Sequence, residues 1–455
     1  MGGCLARGDA EATKVLVVAL DGVTWDIALP LMEQGRMPNL SRLVDGGFSS
    51  HLRTDPPPSL SPIIWTSVAT GKKKKDHGIY HFILPHPETG KTIPYTSNMR
   101  RVKAFWNILS DRDRSCGVVG WWITWPAEKV NGVMVTSYSA VQFAERLWKG
   151  TILKDFDRQT YPPEFMDVVT PIIETCEVEV SERLRRGIFG KVEFDELNEM
   201  QKTVVDDTRQ VFLSDEIYAR TALNLLENRK DLDVVAVYLS GTDVASHRFW
   251  KYHEPQGLPE FRSSDREREM LGGVIDDYYT YVDEMIGRFL LADPKRTVIL
   301  LSDHGFHAET KRGMSQDERS GGHERKDLPG VLVVYGKDVV RDRRIGRLDS
   351  AEPPSIYDIL PTLLFLQGLP VARDMPGRVL KEAFDPALLA RQPIESIATY
   401  ETGDRGTFDE IPEATDLDDA FKARLEALGY IQGGEPLPAE NPEKPAGNRE
   451  KKEGR

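Results

Sequence analysis

Short apolar runs that end in acidic residues and glycine punctuate the chain. The first, Lys14–Leu20, is nearly continuous and rich in Val, and it stops at Asp21-Gly22. That pattern predicts a strand buried on both faces of a parallel sheet. Val234–Leu239 runs in the same way into Ser240-Gly241-Thr242-Asp243, and Thr297–Leu301 into Ser302-Asp303-His304-Gly305. Cys116–Gly120 and Gly330–Tyr335 read as two more strands. Between them, Leu213–Glu227 has apolar residues at Ile217, Ala219, Leu223 and Leu226, and Leu271–Leu291 and Ser355–Leu366 are further helix candidates. Strands alternating with helices predict an α/β protein, a three-layer sandwich with a mainly parallel central sheet. Ligands of such folds gather beyond the carboxyl ends of the strands, where these polar clusters fall.

Residues 1–13 read as a disordered leader and 14–432 as one large domain. The stretch from about Pro126 to Phe212 (126–212) is less regular and rich in charge and aromatics, and it is expected to form an inserted cap. From Gly433 onward (433–455), Pro, Glu, Lys and Gly dominate. Such a tail buries too little apolar surface to offset its ordering entropy, so disorder is expected there.

Charge narrows the partners. Against 59 basic residues stand 72 acidic ones, a formal net charge of −13. The long-range field repels nucleic-acid polymers and anionic membranes, whereas a small anionic substrate is admitted if bound cations reverse the field locally. Cys4, Cys116 and Cys176 have neither metal-ligand nor redox spacing, and the expectation is two buried thiols and one exposed. No apolar run reaches the ~18 residues of a membrane span, and none near the start resembles a signal peptide. A cytoplasmic location is expected. Lipid attachment at Met1-Gly2-Gly3-Cys4 is disfavoured, because Ala6 stands where a myristoylation motif needs Ser or Thr.

Three of the nine histidines form a pattern with the strand-end carboxylates. Asp243 and His247 follow one strand, Asp303 and His304 another, and His323 sits in Gly321-Gly322-His323. With Asp21 the candidates number three imidazoles and three carboxylates. Mixed nitrogen and oxygen donors suit Zn²⁺ or Mn²⁺ better than Mg²⁺ or Ca²⁺, and six ligands exceed the needs of one tetrahedral ion, so two ions are expected. Each piece has a blander reading: Asp21 as a turn residue, Asp243 as a helix N-cap with His247 exposed beyond it. Their common placement after strands favours the metal site.

A hydroxyl nucleophile is offered by Pro56-Pro57-Pro58-Ser59-Leu60-Ser61-Pro62. Pro62 at a helix's first position makes Ser61 the expected N-cap, facing the positive end of the helix dipole. Metal coordination there would lower the hydroxyl pKa and produce an alkoxide able to attack phosphorus. Ser61 as a plain helix cap and Ser59 as the nucleophile are the competing readings.

In this order the residues resemble the alkaline phosphatase superfamily, specifically its type I phosphodiesterase/nucleotide pyrophosphatase branch. The match runs from Val15-Leu-Val-Val-Ala-Leu-Asp21-Gly22 through Ser61-Pro62-Ile-Ile-Trp65 and Thr70-Gly71 to Asp76-His77-Gly78. It continues through Gly241-Thr242-Asp243, His247, Ser302-Asp303-His304-Gly305 and Gly322-His323 to Tyr357-Asp358 and Pro376-Gly377-Arg378. Leu425–Ile431 also looks like the end of bacterial relatives. The resemblance implies an alkaline phosphatase-like catalytic domain with two metal ions, zinc in most members and manganese in the mutase branch. It assigns Asp243, His247 and His323 to one ion, and Asp21, Asp303 and His304 to the other, with Ser61 as a further ligand and the catalytic nucleophile. The implied activity is hydrolysis of a small phosphate ester, mono- or diester, through phosphoserine. A phosphotransferase or mutase of the same fold and an inactive metal-stabilised binding module are the alternatives.

Two departures stand out. Where nucleotide pyrophosphatases carry an Asn that holds a phosphate oxygen, this chain has Ile64, so nucleotide specificity does not follow from the resemblance. The sulfatase signature is absent too, with Ile64 standing where its Arg should be. Lys72–Lys75 is expected to be a solvated loop, His77 structural, and His307 either beside the site or on the surface. Trp65, Trp121, Trp122 and Trp125 are candidates for the pocket wall or the core.

Overall fold

The computed structural model describes residues 12–54, 60–85, 92–140, 158–253, 263–309, 320–323, 328–345 and 353–403. Cys4, Ser59, Leu425–Ile431 and the tail fall outside the described residues. Nine strands form one sheet: β1 (Val15–Leu20), β2 (Phe48–Leu52), β3 (Cys116–Val119), β4 (Gly132–Val135), β5 (Thr160–Tyr161), β6 (Val234–Leu239), β7 (Thr297–Leu301), β8 (Gly330–Tyr335) and β9 (Arg343–Ile345). Their spatial order is β9-β2-β8-β7-β1-β6-β3-β4-β5. The centre is parallel: β1 lies between β6 and β7, with Val15 opposite both Val234 and Thr297. Strand β8 runs antiparallel to β7 and β2, and β5 antiparallel to β4.

Every residue of β1, β6 and β7 is buried. This explains their unbroken apolar sequences, since each face of the sheet packs on helices. Alternate residues of β1 feed different cores: Leu16, Val18 and Leu20 join one apolar cluster, and Val15, Val17 and Ala19 the other. The first cluster lies under helices α1 (Trp25–Glu33), α2 (Met166–Arg186), α3 (Glu199–Asn228), α4 (Gly241–His253) and α5 (Val274–Ala292). The second packs a helix of Ser61–Thr70, here the Ser61 helix, together with Phe105–Asp111 and Ile359–Leu366. The three-layer α/β sandwich is thus the observed architecture.

Some boundaries differ from the expected ones. Helix α3 starts 14 residues before Leu213, at Glu199, because Asn198 and Gln201 form a reciprocal capping box. Buried polar residues in its first half, among them Gln201, Asp207 and Thr208, hide the helical period. The single helix expected over Leu271–Leu291 is broken at Gly272-Gly273 into Asp265–Leu271 and α5. Leu60, not Ser61, is the N-cap of the Ser61 helix, so Ser61 occupies its first turn with Pro62 beside it. Within 126–212, strands β4 and β5 belong to the main sheet and α2 packs along α3.

Cys116 and Cys176 are buried free thiols. Among the described residues no helix is long and apolar enough to cross a membrane.

Candidate metal centre

Asp21, Asp243 and Asp303 all follow central strands, so the parallel register brings three carboxylates to one edge of the sheet. Asp21 continues β1, its N–H bonded to the Leu239 carbonyl at 3.0 Å. The turn after it needs glycine: Gly22 has φ +69°, and a Cβ there would lie 2.7 Å from the Phe306 ring and 2.9 Å from Asp243 Cα. The Gly22 N–H donates to Asp303 Oδ1 at 3.2 Å, leaving Oδ2 on the inner side. Asp243 opens α4, and His247 follows one turn later on the same face, its Nε2 3.4 Å from Asp243 Oδ1.

His323 arrives from another direction. Residues His307–Ala308 and Gly321–Gly322 pair as a short antiparallel hairpin, and His323 follows its second strand. A Cβ on Gly321 would collide with the Ser246 carbonyl, so glycine lets this strand lie directly on α4. The same contact orients His247, whose Nδ1 faces the Gly321 carbonyl at 2.8 Å. A carbonyl only accepts, so the proton sits on Nδ1 and Nε2 keeps its lone pair. His304 is fixed alike, with Nδ1 3.2 Å from the Gly305 carbonyl.

Six side chains assemble in two trios, Asp243–His247–His323 and Asp21–Asp303–His304, each with one donor atom per residue within 4.8 Å of the others. The trios adjoin. His304 Nε2 lies 3.3 Å from Asp21 Oδ1, 3.4 Å from Asp303 Oδ2 and 3.8 Å from Asp243 Oδ1. The His304 and His323 rings stack with centroids 3.8 Å apart.

Asp21, Asp303 and His304 are fully buried. Asp21 Oδ1, Asp303 Oδ2 and His304 Nε2 nonetheless make no well-formed hydrogen bond with the described residues. Orphaned buried polar atoms are costly, and several converging on one point fit a divalent cation. Electrostatics agree. Burial, followed by repulsion from Asp21, pushes the Asp303 carboxyl well above the usual range. Burial also works to raise Asp21, but His304 and the donors on its other oxygen outweigh that and leave it low. For His304, burial disfavours the charged ring, and Asp21 and Asp243 overcome it to raise the pKa.

Ser61 is buried in the first turn of its helix. One turn on, the Trp65 indole N–H donates to Asp21 Oδ2 at 3.1 Å, so this helix rests against the Asp21 trio. The same oxygen accepts from the Tyr238 hydroxyl, and Thr242 Oγ1 donates to the Asp21 carbonyl. Sequence patterning missed these supports. Tyr238 reads as one more apolar residue of β6, and Asp215, which binds the backbone at the start of α4, as polar decoration on α3.

Several other expectations resolve. His77 is buried and structural, its Nδ1 accepting from the Ile79 N–H at 3.1 Å and its Nε2 3.1 Å from Ser67 Oγ. His307 is half-buried in the hairpin that carries His323. Lys72 is not solvated: it is buried and pairs with Asp374 at 2.6 Å, although Lys73 and Lys75 are exposed. Trp65, Trp121 and Trp125 are buried and Trp122 half-buried.

The family model described as "Type I phosphodiesterase / nucleotide pyrophosphatase" matches residues 15–358. The chain belongs to that family, a member of the alkaline phosphatase superfamily. Human ectonucleotide pyrophosphatase/phosphodiesterase family member 7 is 22% identical over 360 residues, covering 79% of this chain and 61% of that protein. The chain thus spans about three fifths of the length of this curated relative. Two structures of murine ectonucleotide pyrophosphatase/phosphodiesterase 5 are also similar, each 12% identical. One, inactive and in complex with AMP, has TM-score 0.47 and coverage of 78% of this chain and 95% of that one. The other has TM-score 0.48 and coverage of 82% and 100%.

Proposed function

We propose that this protein is a metal-dependent hydrolase of small phosphate esters, a phosphodiesterase or phosphomonoesterase with Ser61 as nucleophile and two divalent ions, Zn²⁺ or Mn²⁺. The observation that carries the reading is the pair of adjoining trios at the carboxyl ends of β1, β6 and β7, with donor atoms within 4.8 Å in each. Asp243, His247 and His323 would hold one ion, and Asp21, Asp303 and His304 the other, with Ser61 Oγ beside the second. When bound, such ions supply positive charge that favours the Ser61 alkoxide and offsets charge developing on the phosphoryl oxygens.

Ser61 Oγ forms a bond to phosphorus as the bond from phosphorus to the leaving oxygen breaks in line; the Ser61 proton is passed to solvent, and the departing alkoxide takes a proton from solvent to leave as the alcohol. Water then cleaves phosphoserine, returning the proton to Ser61 and releasing phosphate or a phosphate monoester. The helix N-terminus at Ser61 adds backbone N–H groups and its dipole, both favourable to the anionic group during transfer. His247 and His304 are held with Nδ1 protonated and would give the Nε2 lone pair to an ion, so neither keeps a lone pair free to act as a general base. Cation charge at the centre also accounts for an anionic substrate on a protein of net charge −13.

A panel of p-nitrophenyl phosphate mono- and diesters, assayed before and after chelation and after restoring Zn²⁺ or Mn²⁺, tests the reading. Turnover that disappears on chelation and returns with metal is expected. Turnover of these esters that is insensitive to complete metal removal would refute it.

A further inference from the structure

We propose that Trp65 and Tyr238 are positioning residues that aim the Asp21 carboxylate at its ion and lock the Ser61 helix in register with it. The inference rests on the reading of Asp21 as a metal ligand. Oδ1 faces His304 at 3.3 Å, whereas Oδ2 receives both the Trp65 indole N–H at 3.1 Å and the Tyr238 hydroxyl. A carboxylate on a short stem rotates readily about its last bond. With two donors on one oxygen that rotation is stopped, and the other oxygen is presented alone.

The sequence builds this arrangement at a fixed place. Tyr238 is the cross-strand partner of Ala19, and Asp21 stands two residues beyond Ala19, on the same face of the sheet. Trp65 comes from the layer above. Its ring meets Tyr238 edge-on, with centroids 5.1 Å apart at 73°. The Trp121 indole donates to the Trp65 carbonyl at 3.1 Å, and its ring meets Trp65 at 5.4 Å and 87°. Trp65 is thus held on several sides. It lies four positions after Ser61 on one helix, so the two share a face. The indole-to-carboxylate bond therefore fixes how far the first turn of that helix lies from the Asp21 trio.

Indole is a donor only, and tyrosine keeps its ring when its hydroxyl is removed, so each contribution can be deleted alone. Zn²⁺ affinity of the chelator-stripped full-length protein is measured by competition with a chromophoric chelator, which needs no turnover. Tyr238→Phe is expected to weaken one of the two ions about 10- to 100-fold and leave the other unchanged. Trp65→Phe is expected to weaken the same ion and, at saturating metal, to lower kcat with little change in KM. If both variants bind two ions as tightly as the wild type, the donors merely satisfy a buried carboxylate and the inference fails while the metal site stands. If the stripped wild type binds no Zn²⁺, the metal reading itself fails and takes the inference with it. Should Trp65→Phe not fold, Tyr238→Phe, which removes a single oxygen atom, decides alone.

Discussion

The carboxylate of Asp215, on α3, accepts the backbone N–H of Gly241, the first residue of α4, at 2.8 Å. It also takes the Ser240 N–H at 2.9 Å and the Tyr278 hydroxyl at 2.5 Å. The helix that carries Asp243 and His247 is therefore capped by a side chain from a neighbouring helix, and Tyr278 ties α5 into the same joint. Substituting Asp215→Ala strips the acceptor from three donors in a buried setting. A loss of about 2–4 kcal/mol is expected in urea unfolding. Asp215→Asn, which keeps one acceptor oxygen, should fall between. A change under about 0.5 kcal/mol for the alanine variant, the range of ordinary surface substitutions, would show that the cap contributes little.

His77 predicts how the fold responds to acid. Burial first, then the nearby positive charges of Arg100 and Lys74, push the imidazole pKa down to about 3. The unfolded chain binds this proton near pH 6.5, so the stabilisation from keeping His77 neutral is fully present above that pH. It is lost progressively between pH 6.5 and 3, at about 1.4 kcal/mol per unit. His77→Gln should be less stable at pH 7 and show a shallower decline on acidification. Unfolding free energies at several pH values down to 4 check this, and parallel curves for the two proteins would contradict it.

Removing the Ser61 hydroxyl separates chemistry from metal binding. Ser61→Ala is expected to lower kcat by at least about four orders of magnitude. The variant should keep the fold and bind its metal. Rapid acid quench of the wild type with a labelled ester should trap phosphate on Ser61. Full turnover by the variant would move the nucleophile elsewhere.

The two trios should empty separately. His247→Ala removes a proposed ligand from one and His304→Ala from the other, so elemental analysis is expected to find about one ion per chain in each variant against two in the wild type. Retention of two ions by both variants would sever the ligand assignment from the metal.

Much of the candidate site was legible because carboxylates and imidazoles at strand ends have local signatures. Apolar runs such as Val15–Leu20 predict buried strands, and parallel strands deliver the residues after them to one edge, so Asp21, Asp243 and Asp303 could be grouped before their contacts were known. The helix start near Ser61 was legible too, from Pro62, though the chain gives the cap itself to Leu60. Long-range placement was not legible. Nothing local to Tyr238 distinguishes it from its apolar neighbours on β6, and Asp215 lies 26 residues from the backbone it caps. Both roles exist only because sheet register and layer packing join distant segments.

Strands, their polar endings and the supply of nitrogen and oxygen donors follow from local sequence, since they depend on periodicity and side-chain chemistry within a few residues. Tertiary structure alone decided which donors share a trio, which imidazole nitrogen faces inward and which oxygen of Asp21 is already taken. Those outcomes depend on distances between segments hundreds of residues apart, such as Gly22 and Asp303. Only the packed sheet and its covering helices set such distances.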